Sequence, residues 1–214
     1  HRHLAAARAL LLGGMLMYLR AVESGRLRHA AFSGLLLLLL GFIQPLYVLV
    51  AYAVLAAHIV ILRLTRQRPR SFEIWRLYFV VSIMHSPIVL YTILSFSLDP
   101  LLKQWGKQNI ILSPHPLHYL AAYGLLLIPA ALGLRELWRR DKMRASFLAG
   151  WVAVLPLLLY APYNLNRRFA EGFHVALVTM AVAGLALLGR PGTPRPVRSS
   201  RPARSLALSG LLIA

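Results

Sequence analysis

Long apolar stretches in this chain are separated by connections that alternate between arginine-rich and arginine-poor. Arg63, Arg66, Arg68, Arg70 and Arg76 crowd one connection, and Arg135, Arg139, Arg140, Lys142 and Arg144 crowd another. A third holds Arg190, Arg195, Arg198, Arg201 and Arg204. The intervening connections carry only Lys103 and Lys107, then Arg167 and Arg168. Cytoplasmic loops of membrane proteins are enriched in Lys and Arg. The rhythm therefore predicts a chain threaded repeatedly through a bilayer, with its basic connections held inside the cell.

Composition agrees. Hydrophobic residues make up 58% of the 214 positions and charged residues 14%, against about 25% charged in a soluble domain. The mean hydropathy is +0.63. The net charge of +18 lies in short blocks between apolar segments. No basic stripe is interleaved with aromatics in a polar domain, so no nucleic acid is expected as a partner. Membrane lipids are, with anionic headgroups against the basic loops. The absence of cysteine excludes disulfides, thiol catalysis and thiolate metal sites. The chain opens on His1 and closes in an apolar run at Ala214, which reads as an internal piece of a longer protein. Its Arg, Ala and Leu bias points to a bacterial inner membrane.

A membrane-crossing helix needs about 20 mostly apolar residues. Residues 4–19 form a short stretch containing Arg8, open to reading as a tilted span, an interfacial helix or the end of a longer one. Residues 30–62 are too long for one span and are interrupted by Gln44-Pro45. Proline removes a backbone donor and clashes with the preceding turn, so we read a short helix to about Phe42 and a second from about Leu46, a broken hairpin. Spans are expected at residues 75–96, 117–134, 145–163 and 173–188, with external connections at 99–116 and 164–172. Backbone amides find no water in lipid, so the spans must be helices. The expected fold is an all-α polytopic bundle of six to seven hydrophobic helices over residues 1–189. Residues 190–205 read as a basic Pro/Arg/Ser linker inside the cell, and residues 206–214 as the start of a further span.

Residues able to carry chemistry gather in the two arginine-poor connections. The first offers Gln108, Asn109 and Ser113 as hydrogen-bonding groups, with His115 and His118, beside Trp105, an aromatic suited to the membrane interface. Two histidines three apart fall short of a zinc set of three or four ligands, so no metal is expected. The bland reading is an ordered loop whose approach to the next helix is fixed by Pro114 and Pro116. Asp99 fits either a general base or a turn opening at Asp99-Pro100.

The second connection places Arg167 and Arg168 on the side that should be poor in arginine, with Asn164, Asn166, Glu171 and His174 nearby. Guanidinium groups match phosphate oxygens bidentately and stay charged at any relevant pH. One reading is a clamp for a phosphate-bearing lipid or sugar donor. The other is a pair of arginines reaching toward headgroups and pairing with Glu171. Gln44, His58 and His85 lie at membrane depth, where such residues either mark a pathway or bond across helices. Glu73, Glu136 and Asp141 lie among cytoplasmic arginines as charge partners. There is no Gly-rich phosphate cradle, and no cofactor is expected.

The alternation of short and full spans over residues 4–188, the Gln44-Pro45 break, and the run Ala161-Pro-Tyr-Asn-Leu-Asn-Arg-Arg-Phe-Ala-Glu-Gly resemble the later spans of membrane-embedded glycosyltransferases of the C superfamily. The resemblance implies transfer of a sugar from a polyprenyl-phosphate donor at the external face, with Arg167 and Arg168 toward the donor phosphate. The acidic residues of that family lie in an early external loop. No acidic pair here matches them, so no catalytic residue carries over. The alternative class is a non-enzymatic transporter or assembly subunit, for which helices broken at Pro45 and Pro87 are the motivating feature.

Overall fold

The computed structural model describes residues 2–65, 71–162, 164–170 and 172–188. They form eight α-helices: α1 (Arg2–Ser24), α2 (Leu27–Ile43), α3 (Pro45–Leu64), α4 (Ser71–Leu98), α5 (Pro100–Gln108), α6 (Pro116–Arg140), α7 (Lys142–Leu159) and α8 (Phe173–Leu188). A short 3₁₀ helix, Asn166–Ala170, precedes α8.

Six helical runs are long and apolar enough to cross a membrane: Arg2–Ser24, Pro45–Leu64, Ile74–Leu98, Pro116–Arg140, Lys142–Leu159 and Asn166–Leu188. The 17-residue α2 is shorter, and at 1.5 Å per residue it reaches about 25 Å. The protein is an all-α, multi-pass integral membrane protein. The expected external loop at 99–116 is not all loop, because α5 occupies Pro100–Gln108. The first stretch is a full helix of 23 residues. The linker at 190–205 and the apolar end at 206–214 lie outside the described residues.

Gln44-Pro45 makes the predicted break. Gln44 leaves helical geometry at φ −147° and ψ 83°, and Pro45 opens α3, where its missing N–H costs nothing. The two helices then run in opposite directions. Gly34 faces Met84 and Gly41 faces Ile88, so α2 and α4 run parallel. Tyr52 of α3 meets Ser82 and His85 of α4, as an antiparallel partner should. A Cβ on Gly34 would stand 2.5 Å from the Met84 Cβ; its absence lets α2 and α4 close.

Two apolar clusters hold the bundle. The larger draws on α1–α4 and α7 through Leu11, Tyr18, Leu37, Val54, Leu77 and Trp151. The smaller joins α6, α7 and α8 through Ala130, Leu155, Phe173 and Leu177. Within it α6 and α8 cross at Gly133 and Gly184, where each glycine lies against backbone of the other helix. In lipid the surrounding tails are as apolar as leucine, so helix pairing depends on such close packing of small residues.

The proline inside α4 is accommodated locally. Pro87 cannot donate to the Ile83 carbonyl, and the Ser86 hydroxyl donates to it instead at 2.9 Å. Deeper toward the α3 C-terminus, His58 is fully buried between Tyr18 Oη (3.1 Å from Nδ1) and the Met143 carbonyl (3.2 Å from Nε2). A carbonyl only accepts, so Nε2 carries the proton and Nδ1 accepts from Tyr18. His58 thus ties α1, α3 and α7 together, which is the packing role weighed for it from sequence.

Contacts between connections separate the two ends of the bundle. At one end Arg144 pairs with Glu23 at 2.9 Å, Arg140 with Glu136 at 2.7 Å, and Arg144 with Asp141 at 3.3 Å. There too the Arg63 guanidinium lies 4.9 Å from the Trp75 ring centroid. This is the arginine-rich end. The arginine-poor connections meet at the other end.

Candidate functional site

The arginine-poor end is organised by two segments far apart in sequence. Asp99 caps α5 by accepting from the N–H groups of Leu101 (2.8 Å) and Leu102 (3.3 Å), so the turn-opening reading of Asp99-Pro100 describes it. The helix ends at Asn109, whose backbone N–H returns to the Trp105 carbonyl at 3.0 Å. An irregular strap of residues 109–115 then leads to α6.

The strap is fastened to the connection between α7 and α8. Ile111 N–H donates to the Asn164 carbonyl at 2.6 Å, and Arg167 N–H donates to the Ile111 carbonyl at 3.4 Å. Ser113 N–H donates to Asn166 Oδ1 at 2.7 Å, and Asn166 Nδ2 donates to the Ala161 carbonyl at 3.3 Å. Tyr160 Oη donates to the Pro114 carbonyl at 2.8 Å, and Asn164 Nδ2 to the Gly106 carbonyl at 3.3 Å. Backbone polar groups outside regular structure need partners, and here each connection supplies them for the other.

Sequence dictates which side chains of Asn166–Ala170 turn inward. Three residues per turn put positions 166 and 169 on one face, and Asn166 and Phe169 are buried while Arg167 and Arg168 are exposed. Leu165 adds a second apolar anchor. Gly172 closes the turn at φ +79°, where a Cβ would also stand 3.1 Å from Leu11 Cδ2 and Trp151 Cζ2. The result is a backbone sunk into the bundle with two guanidinium groups projecting from it. Among the described residues, neither guanidinium takes part in an ion pair or a side-chain hydrogen bond.

The predicted site residues fall into groups. Asn164 is brought to Gly106, near the C-terminal end of α5 where Gln108 and Asn109 follow. Asn166 has its amide oxygen and nitrogen each engaged by backbone, so it positions the two connections. His115 caps α6 by accepting from Leu117 N–H at 3.4 Å, and His118 Nδ1 lies 3.3 Å from the His115 carbonyl. Both are exposed, as is His174 in the first turn of α8. No group of three or more metal-ligating side chains occurs among the described residues. Glu171, the proposed partner of the arginine pair, lies outside them.

Sequence reading singles out Ser113 as a hydrogen-bonding residue but misses Tyr119 and Tyr160. Tyr119 Oη donates to Ser113 Oγ at 3.4 Å, so these three side chains and Asn166 stitch the strap to α6 and α7. The only advance signal for the two tyrosines was their position beside proline-broken helix ends. Chemically, the assembled end offers permanent positive charge and neutral hydrogen-bonding groups. Asp99, its one carboxylate among the described residues, is committed to capping α5.

No protein-family model matches the chain, and no curated protein or solved structure matches it either. The multi-pass helical membrane architecture therefore rests on the residues themselves.

Proposed function

We propose that the arginine-poor end binds the phosphate of a lipid-linked substrate, and that the protein works in glycosyl transfer from a polyprenyl-phosphate sugar on the external side of the membrane. The observation that carries this reading is the exposed pair Arg167 and Arg168 on a backbone fastened from both sides. Charge held in place before the substrate arrives needs little reorganisation when negative charge develops on a departing phosphate. Asn164, Gln108, Asn109, His115, His118 and His174 supply hydrogen-bonding groups around the same end, with Lys103 and Lys107 as further cations. The orientation follows from the positive-inside bias, which puts the end bearing Arg63, Arg139 and Arg144 in the cytoplasm. The enzymatic step itself draws on the resemblance to C-superfamily glycosyltransferases.

The test replaces Arg167 and Arg168 together by Gln and measures binding of, and transfer from, a polyprenyl-phosphate sugar, with Lys142→Gln at the opposite end as a control. Weakened donor binding in the double variant alone supports the clamp. Unchanged donor affinity and turnover would remove it.

A second reading, a non-enzymatic carrier, is favoured by one specific observation: the sole carboxylate described at this end is a helix cap. Donor binding that depends on Arg167 and Arg168 without any measurable transfer would select it.

A further inference from the structure

Among the described residues His85 is the second buried histidine of the bundle, and its ring is only half satisfied. Its relative exposure is 1%. Nδ1 faces the Val81 carbonyl one helical turn back, and since a carbonyl only accepts, Nδ1 carries the proton. In the neutral imidazole Nε2 is then a bare acceptor, and it is buried with no partner among the described residues. One turn earlier on the same face of α4, Ser82 Oγ is also buried without a partner among the described residues. Residues three apart on a helix are lateral neighbours, about 5–6 Å between Cβ atoms. Tyr52 of α3 walls the site: its ring centroid lies 4.3 Å from that of His85, and its hydroxyl donates to the Ser82 carbonyl at 3.3 Å.

An unpaired acceptor and an unpaired hydroxyl side by side are expensive in a low-dielectric interior, each costing roughly 1–3 kcal/mol. Both are relieved by one small molecule that can donate to Nε2 and also exchange a hydrogen bond with Oγ. A purely anionic ligand cannot donate. A cation would sit among apolar neighbours with no counter-charge. Water meets the requirement, and buried waters characteristically serve such leftover polar groups. We propose that Ser82, His85 and Tyr52 form an internal water site within the membrane-spanning bundle, between α3 and α4. The water donates one hydrogen bond to His85 Nε2 and shares another with Ser82 Oγ. His58 provides a control within the same molecule, because both of its ring nitrogens are occupied by protein groups.

The experiment is water-edited solid-state NMR on the whole chain in lipid bilayers, with ¹⁵N-labelled histidine. Magnetisation transfer from water to the His85 ring, little or none to the His58 ring, and loss of the His85 transfer in Ser82→Ala is the expected result. Absent transfer at His85, or transfer no stronger than at His58, would overturn the site. Ser82→Ala leaves the helix backbone intact, and unchanged transfer in that variant would remove serine from the proposal.

Discussion

The guanidinium of Arg144 meets the carboxylate of Glu23 at 2.9 Å, joining the start of α7 to the end of α1 across 121 positions of sequence. Since α1 leads directly into α2, this contact places the α1–α2 and α6–α7 connections at one end of the bundle. Its value lies in position more than in energy. The two side chains are 61% and 37% exposed, and ion pairs so open to solvent contribute about 0–1 kcal/mol. Glu23→Gln should therefore lower stability by less than about 1 kcal/mol, read by thermal unfolding in detergent. A loss of several kcal/mol would mean that the contact carries the fold.

Asn166 should matter more. Its amide holds the Ser113 N–H and the Ala161 carbonyl together, and it is buried. Asn166→Ala leaves both groups short of a partner and should cost about 1–3 kcal/mol. The local signature is faster hydrogen exchange at the Ser113 amide. Asn166→Asp keeps the acceptor for Ser113 and should preserve that amide's protection better than alanine does.

The crossing of α6 and α8 leaves no room for side chains. A Cβ at Gly133 would stand 2.7 Å from the Gly184 nitrogen, and one at Gly184 would stand 2.9 Å from the Gly133 nitrogen. Gly133→Val or Gly184→Val should destabilise by at least about 1–3 kcal/mol, the usual cost of overpacking. Gly124, on the same helix, has nothing within 4 Å of its Cβ position. Gly124→Ala should be neutral or slightly stabilising, since alanine favours helix by up to about 1 kcal/mol over glycine. Equal losses at Gly124 and Gly133 would contradict the close crossing.

Ser86 and Pro87 should show non-additive behaviour. Ser86→Ala removes the donor that serves the Ile83 carbonyl and should cost about 1 kcal/mol. Pro87→Ala restores a backbone N–H that can take the same carbonyl. The double variant should then lose less than Ser86→Ala alone, which a double-mutant cycle on unfolding free energies measures directly.

Much of the bundle was legible in the sequence because lipid enforces simple rules on it. Hydrophobic length located the spans, with α8 starting at Phe173 as expected, and Gln44-Pro45 announced the break between α2 and α3. The partners foreseen for Glu136 and Asp141 proved to be Arg140 and Arg144. Local rules could not reach α5, whose mixture of Leu, Lys, Gln and Gly lacks the apolar length of a span. Nor could they pair Ser113 with Asn166, 53 positions apart. That contact depends on α6 and α7 bringing two irregular segments to the same end. The arginine pair stood out from sequence by violating the charge bias. What fixes its backbone, Phe169, Leu165 and Gly172, became apparent only once the turn was seen sunk into the bundle.

The most direct test of the membrane-spanning architecture uses the absence of native cysteine. Single-cysteine variants Arg139→Cys and Lys107→Cys, both at exposed positions, would be treated with a membrane-impermeant maleimide in intact cells and again after permeabilisation. The account predicts that Lys107→Cys reacts in intact cells and Arg139→Cys reacts only after permeabilisation. Reaction of both from the same side, or of Arg139→Cys alone from outside, would contradict it.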